Sequence, residues 1–205
     1  MRIRKGLAAV ALSAALVARG AAADELGRVE LAARTGFVLP LGLLYQVHHL
    51  SDDVYGFIPL RLEAGYRPSP SVMIGVYGSA ALGLVRNCGT VESCSAQDFI
   101  VGVQLHYHFA PRGSPDPWVG LGIGHEWLRT SVTSSSNPQA LTLTYRGLLP
   151  LELQTGVDFS SGGGWALGPY LSVAAGQYGD FQTLGDIANK GHVLVSFGVR
   201  GSLGL

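Results

Sequence analysis

The residue types best suited to chemistry lie close together in "QVHHLSDDVYG", residues 46–56. This stretch holds His48, His49, Ser51, Asp52 and Asp53. A histidine oriented by a carboxylate can activate a serine hydroxyl, so the cluster could support acyl transfer. Such residues are also common in solvated loops, and the alternative is a polar loop without activity.

A second candidate is the glycine-rich stretch "PWVGLGIGHEWL", residues 117–128. A dinucleotide fingerprint needs its third glycine one residue later, at position 125, where this chain has His125, and a P-loop needs Gly-Lys-Ser/Thr. The glycines alternate strictly with aliphatic residues, which places them on one face of a β-strand. The pattern therefore predicts a glycine-lined strand and no nucleotide site.

Histidines and cysteines are the remaining candidates, as metal ligands or, for the cysteines, as a disulfide. His106 and His108 share one strand face, but no third ligand can be placed beside them, so they are interpreted as hydrogen-bonding residues and no metal or other cofactor is predicted. Cys88 and Cys94 are expected to form a disulfide if the chain is exported; the alternative is two free thiols.

Export is indicated by the first 25 residues, "MRIRKGLAAVALSAALVARGAAADE". A basic start, a short apolar run and an A-x-A pattern before Asp24 predict a signal peptide over residues 1–23 and a single mature domain over residues 24–205. Removing residues 1–23 leaves 14 − 4 = 10 basic and 14 acidic residues. A net charge of −4 gives no basic patch for nucleic acid.

The mature region shows repeated alternation of polar and apolar residues. Short Pro-, Gly- and Ser-rich connections at 67–71, 110–117 and 160–164 alternate with longer polar ones at 41–56, 86–98, 130–140 and 178–191. This order predicts an all-β, eight-stranded antiparallel up-and-down transmembrane β-barrel, with the long connections outside the cell. The predicted strands are 28–40, 57–67, 72–85, 98–109, 117–129, 141–159, 165–177 and 192–205.

Charged residues keep to one face of the predicted strands, opposite the aliphatic ones. We expect them to fill the lumen as a network of salt bridges and hydrogen bonds, for which arginine is well suited. A soluble barrel such as a lipocalin would have the opposite orientation of its faces. The expected network comprises Arg28, Glu30, Arg34, Arg61, Glu63, Arg67, Glu126, Arg146, Glu152, Asp158 and Arg200.

Aromatic residues and glycines favour the membrane orientation. Aromatic residues cluster at strand ends, as interfacial girdles do, and glycines share the charged face, where they would leave packing space in a narrow lumen. The predicted girdles are Tyr66, Tyr107, Phe109, Trp118, Phe159 and Trp165 near the short turns, and Phe57, Phe99, Trp127 and Tyr145 near the long loops. His125 has the apolar parity and is expected at the interface. The lumen glycines are Gly102, Gly120, Gly122, Gly124, Gly168 and Gly176.

With these features the chain resembles the small outer-membrane β-barrel proteins with an OmpA-like transmembrane domain, most clearly in "PWVGLGIGHEWL", "LRLEAGYRPSPSVMIGVYGS" and "WALGPYLSVAAGQYG". The resemblance implies the outer membrane of a Gram-negative bacterium, with membrane lipids, lipopolysaccharide and the barrel-assembly machinery as partners. The chain departs from the family in two ways: no peptidoglycan-binding domain is expected, so no cell-wall tether is implied, and Leu205 stands where the family usually has a terminal Phe or Trp.

The function expected from the sequence is therefore structural: a membrane-embedded barrel, not an enzyme, with a lumen plugged by its charge network. Outer connections, including the loop at 86–98, are possible contacts for an unidentified partner. One alternative is a lipid A-modifying acyl hydrolase or transferase acting at the outer rim through residues such as His49 and Ser51. The other is a narrow pore in which the same charges confer selectivity.

Overall fold

The computed structural model describes residues 29–45, 48–49, 54–85, 93–134, 137–181 and 190–205. This part of the chain contains no helix long and apolar enough to cross a membrane. It consists of strands joined by turns. The strands are β1 (Val29–Tyr45), β2 (His48–His49), β3 (Val54–Ser69), β4 (Val72–Val85), β5 (Ser93–His108), β6 (Asp116–Ser134), β7 (Asn137–Gly162), β8 (Trp165–Phe181) and β9 (Lys190–Gly204).

Eight long strands form one closed barrel. Apart from the two-residue β2, which pairs with the end of β1, each strand pairs antiparallel with the next, and β9 returns to pair with β1. The closing seam is continuous from Glu30 opposite Gly204 to Gly42 opposite His192. Closure satisfies the backbone groups that an open sheet edge would leave unpaired. The predicted eight-stranded antiparallel barrel is confirmed.

The two ends of the barrel differ from the prediction in one respect. Tight connections at residues 70–71 and 163–164 lie at the same end as the chain termini, as expected. At the other end the strands run further than predicted, and β6 and β7 are separated by only two residues instead of a loop over 130–140. Ser131 and Thr142 lie 3.1 Å apart between their hydroxyl oxygens in this extension. Strand pairing thus continues through polar residues where the hydrophobic alternation ends, and threonine, which is β-branched, is well suited to a strand.

The faces of the barrel wall have the orientation of a membrane protein. Aliphatic side chains point outward and are exposed, for example Leu62 at 59% and Leu167 at 61%, whereas Arg34 and Arg200 are buried inside at 1% and 0%. Outward apolar and inward charged residues alternate along the strands, as in transmembrane barrels. The lipocalin-like inversion is therefore inconsistent with the structure.

A β-bulge in β7 changes the alternation halfway along that strand. Glu152 pairs with Gly122. The next pair toward the end of the barrel opposite the chain termini, here called the outer end, is Leu149 with Gly124, so two residues of β7 oppose one of β6. Both extra-register residues, Pro150 and Leu151, are exposed. Proline lacks a backbone N–H, which makes a bulge a suitable position for it. From Leu149 back to Tyr145 the side chains of β7 therefore face opposite to the single-parity prediction.

The bulge corrects three predictions. Arg146 was expected in the lumen but is exposed on the outer wall. Tyr145 and Leu149 were expected on the outer face but are buried inside, at 7% and 1% exposure. A one-residue slip reverses the facing of all later side chains because the strand period is two. Tyr145 therefore does not belong to an interfacial girdle.

The remaining aromatic residues confirm the girdles only in part. Phe99 is exposed near the outer end and Trp127 is partly exposed there. Trp118 and Phe57, both predicted for the girdles, are instead buried in the lumen at 1% and 2% exposure, because each lies on the inward parity of its strand. The aromatic residues that do point outward near the short turns are Tyr66, Tyr107, Phe109, Phe159 and Trp165.

Candidate functional site

The lumen is the candidate site, and its inner half is organised around Arg200. This fully buried guanidinium donates from Nη1 to Asp158 Oδ2 at 2.7 Å and forms a second ion pair through Nη2 with Glu30. Its Nε lies 3.4 Å from Glu63 Oε2. One arginine thus binds carboxylates from three other strands, which is the geometry that the planar, five-donor guanidinium allows.

Two further arginines extend the network across the lumen. Arg34 is paired with Glu63, and Arg61 lies 3.2 Å from the same carboxylate. Arg61 also donates to Glu152 Oε1 at 2.7 Å and to Gln104 Oε1 at 2.6 Å. Glu63 is therefore shared by three arginines, so the inner layer is one connected network and not a set of separate pairs.

The end of the lumen near the short turns is closed by a smaller group. Arg67 pairs with Glu30 and its Nη2 lies 3.2 Å from His108 Nε2. His108 Nδ1 lies 2.8 Å from Asp116 Oδ2, and the other oxygen of Asp116 accepts the backbone N–H of Ala110 at 3.0 Å. These contacts connect the turn region directly to the interior network.

Aromatic rings pack over the arginines. Trp118 stacks on His106 with 4.8 Å between ring centroids, and its indole N–H donates to Asp158 at 3.2 Å. The guanidinium carbons of Arg34 and Arg200 lie 5.0 and 5.3 Å from the Trp118 ring centroid. These are cation–π distances, so the ring both fills space and stabilises the charge.

The glycine face of β6 is what gives these rings and side chains room. A Cβ added to Gly120 would lie 2.6 Å from His106 Cδ2, and one added to Gly122 would lie 3.1 Å from Glu152 Oε2. Gly124 is similarly close to Tyr77, at 2.7 Å from its hydroxyl. Their position in the lumen agrees with the prediction, and the space that they leave is occupied by imidazole, carboxylate and phenol groups.

A second polar group lies toward the outer end. Glu126 accepts the Tyr178 hydroxyl at 2.5 Å, and its other oxygen lies 2.7 Å from His192 Nε2. Tyr178 and His192 stack with 4.2 Å between ring centroids and 13° between ring planes. Asp98, at the boundary between the predicted connection 86–98 and the predicted strand 98–109, is buried inside β5 because strand pairing continues to Ser93.

An apolar layer surrounds this outer group and was not predicted. The alternation of charged residues along the strands predicts only the ionic side chains of the lumen. Tyr145 and Leu149 lie inside because of the bulge in β7. Together with residues of the other strands they form a packed cluster. Its buried members are Val38, Val54, Phe57, Ala81, Ala96, Leu128, Tyr145, Leu149, Ala174, Tyr178 and Leu194.

The residues predicted to form the charge network of the lumen thus fall into three groups. Arg28 lies outside the described residues, and Arg146 is on the outer wall. The others all lie in the lumen, where Glu126 belongs to the outer group and the remainder form the inner network. The inner network balances four arginines, Arg34, Arg61, Arg67 and Arg200, against four bridged carboxylates, Glu30, Glu63, Glu152 and Asp158.

Sequence reasoning did not find several partners of this network. Asp116 and Trp118 have the same parity along β6 as Gly120, and this parity alone would assign both side chains to the lumen. Gln104 and Gln154 carry no charge signal, although both are buried on the lumen face. Neutral hydrogen-bonding residues on a polar strand face are the signal that would have indicated them.

The other predicted sites are only partly covered by the structure. Cys88, Ser51, Asp52 and Asp53 lie outside the described residues, and His48 and His49 are described only as backbone strand. The disulfide of Cys88 with Cys94 and the acyl-transfer cluster therefore stay predictions. Among the residues that are described, no group of three or more His, Cys, Asp or Glu is placed to hold a metal ion.

Comparison with known proteins defines the fold. No family model and no curated protein matches the chain. Neisserial surface protein A superposes with a TM-score of 0.56 at 17% identity, over 86% of this chain and 97% of that one. OprG from Pseudomonas aeruginosa gives 0.47 at 13% identity over 87% and 98%, and the outer membrane protein AlkL gives 0.48 at 14% over 92% and 96%. The fold is that of the small outer-membrane β-barrel proteins.

Proposed function

We propose that this protein is an integral outer-membrane protein, exported with its signal peptide, whose barrel supports its outer connections and does not conduct solutes. The observation that carries the proposal is the inverted distribution of side chains. An exposed aliphatic belt surrounds a buried ionic interior, and this arrangement is stable only where lipid contacts the wall. The likeness to a solved outer-membrane barrel supports the fold on which it rests.

The lack of conductance follows from two closures in series. The inner layer is a neutral, mutually paired ionic network centred on Arg200 and Glu63. The outer layer is the apolar cluster that includes Phe57, Leu128 and Leu149. An ion crossing the lumen would have to break buried ion pairs and then pass the packed apolar side chains that surround Glu126, Tyr178 and His192, both of which are costly. A selective pore would need hydrated space continuous through both layers.

Membrane integration is tested by cell fractionation and by comparing boiled with unboiled samples on a gel. We expect the protein in the outer-membrane fraction, with a change of apparent size on boiling, because a closed barrel resists detergent until it is heated. A soluble periplasmic protein without that change would contradict the proposal.

Closure is tested by planar-bilayer recording of the purified barrel. The wild type should show no steady open-state current. Truncating only the outer layer, with Leu128→Ala and Leu149→Ala, should leave the ionic layer closed, whereas adding Arg34→Ala and Arg200→Ala should produce measurable channels. Each variant is first checked for its heat-dependent gel shift. Large steady currents from the wild type would contradict closure while leaving membrane integration intact.

A further inference from the structure

Two charged side chains break the rule that the outer wall is apolar. Of the strand residues whose side chains the structure describes, Arg129 and Arg146 are the charged ones that point outward and are exposed. They lie on neighbouring strands, β6 and β7. Arg146 is directly opposite Trp127, and Arg129 is two residues further along β6. Such diagonal positions are about 7–8 Å apart, so both guanidinium groups can reach one anion.

The bulge in β7 is responsible for this pair. If the alternation of Glu152 and Asp158 continued, Arg146 would face the lumen. The bulge at Pro150 turns it to the outer wall instead. Neither Arg129 nor Arg146 forms an ion pair with any carboxylate whose side chain the structure describes. The outer wall therefore presents two adjacent cations.

They lie at the level of the wall where the outward-facing residues change from apolar to polar. Paired residues on neighbouring strands form a rung of the barrel wall. The rung nearer the chain termini holds the exposed apolar residues Val101 and Leu148, with His125 between them. Arg146 lies in the next rung with Phe99 and Trp127. An outward arginine is costly in the apolar middle of a bilayer and much less so near the interface, so this aromatic level is where one is tolerated.

The next rung toward the outer end is polar. There Arg129 lies between Gln97 and Thr144. The two arginines thus face the level of lipid headgroups at the end of the barrel opposite the chain termini. Trp127, level with Arg146, and His125, two residues before it, pack edge to face with 4.4 Å between ring centroids. Aromatic rings at this level contact the upper parts of acyl chains and sugars.

We infer that Arg129 and Arg146 form a binding site for a phosphate group of lipopolysaccharide, with Trp127, His125 and Phe99 packing beneath its phosphorylated sugar. Guanidinium groups bind phosphate through paired N–H donors, which a lone ammonium group cannot match. The inference rests on the proposed function, because it requires the barrel to stand in the outer membrane with this end outward. What it adds to the lipopolysaccharide contact expected of an outer-membrane barrel is a particular site, the chemical group bound there and the residues that hold it.

The test uses the full barrel in detergent or nanodiscs, with binding of bisphosphorylated lipid A measured by native mass spectrometry. The double variant Arg129→Gln/Arg146→Gln should weaken binding about tenfold or more, and each single variant by less. Arg112→Gln is the matched control, since Arg112 is an exposed arginine in the connection at the opposite end, and it should bind like the wild type. Wild-type affinity should also fall with added salt.

A second probe identifies the chemical group. Lipid A from which both phosphates have been removed should bind the wild type and the double variant equally. If phosphatidylglycerol responds to the double variant as strongly as lipid A does, the site is a general anionic-lipid site and the assignment to lipopolysaccharide is overturned. Unchanged binding of bisphosphorylated lipid A by the double variant would overturn the site itself.

One rival partner for Arg146 is on β8, where Asp180 is its backbone neighbour in the sheet. Asp180→Asn should leave lipid A binding unchanged or strengthen it. A loss as large as that of Arg146→Gln would overturn the inference by assigning the pair a structural role. All variants are checked for the heat-dependent gel shift. A wild type that fails to insert would overturn the proposed function together with this inference, whereas normal insertion without lipid A discrimination would overturn the inference alone.

Discussion

Replacing Arg200 with methionine should be among the most destabilising single changes in the barrel. Arg200 is fully buried and contacts Glu30, Glu63 and Asp158. The resulting loss in the free energy of unfolding is not three times that of one ion pair, because two of the three carboxylates keep another arginine as partner. Glu63 keeps Arg34 and Arg61, and Glu30 keeps Arg67.

Asp158 is the carboxylate left without a cation. Besides Arg200, the partner that the structure gives its side chain is the indole N–H of Trp118 at 3.2 Å. Removing one member of a buried ion pair costs about 3–5 kcal/mol, because the other charge remains buried. We therefore expect Arg200→Met to lower the free energy of unfolding by that amount. Adding Asp158→Asn should return about 1–3 kcal/mol, since an amide is less costly to leave unpaired than a carboxylate.

The measurement is urea unfolding of the barrel in lipid vesicles, followed by the gel shift and by tryptophan fluorescence. Arg112→Met is the control and should change stability by less than about 0.5 kcal/mol, as expected for an exposed residue in a turn. A loss below about 1 kcal/mol for Arg200→Met, or no recovery on adding Asp158→Asn, would refute the assignment of a connected, desolvated network.

Two further predictions concern packing and covalent structure. Gly120→Ala should destabilise the barrel by about 1–3 kcal/mol, because the new methyl group would meet the His106 ring. Gly78→Ala is the control and should be neutral or stabilising, because nothing lies within 4 Å of the added Cβ. Equal effects of the two substitutions in urea unfolding would argue against glycine as packing space. Without reductant, Cys88 and Cys94 should resist alkylation by iodoacetamide, and both should react after reduction; immediate labelling would contradict the disulfide.

Much of the architecture was predictable because period-two alternation is a local property. The parity of Glu30, Arg34 and Arg200 correctly assigns the lumen face of the two strands that close the barrel. The parity of the glycines in β6 likewise places them inside. The extent of the strands was less predictable, since polar residues such as Ser131 and Thr142 pair without an apolar pattern to reveal it.

The sequence by itself determined the eight-strand count, the two faces of most strands and the arginine-rich character of the interior. The tertiary structure alone decided which charges meet, how the outer half of the lumen is packed and where Arg146 points. Pairing across the lumen depends on the register of strands far apart in the chain, as for Arg61 with Glu152. The direction of Arg146 depends on a bulge opposite Ile123, and a bulge arises between two strands, so the alternation within one strand does not reveal it.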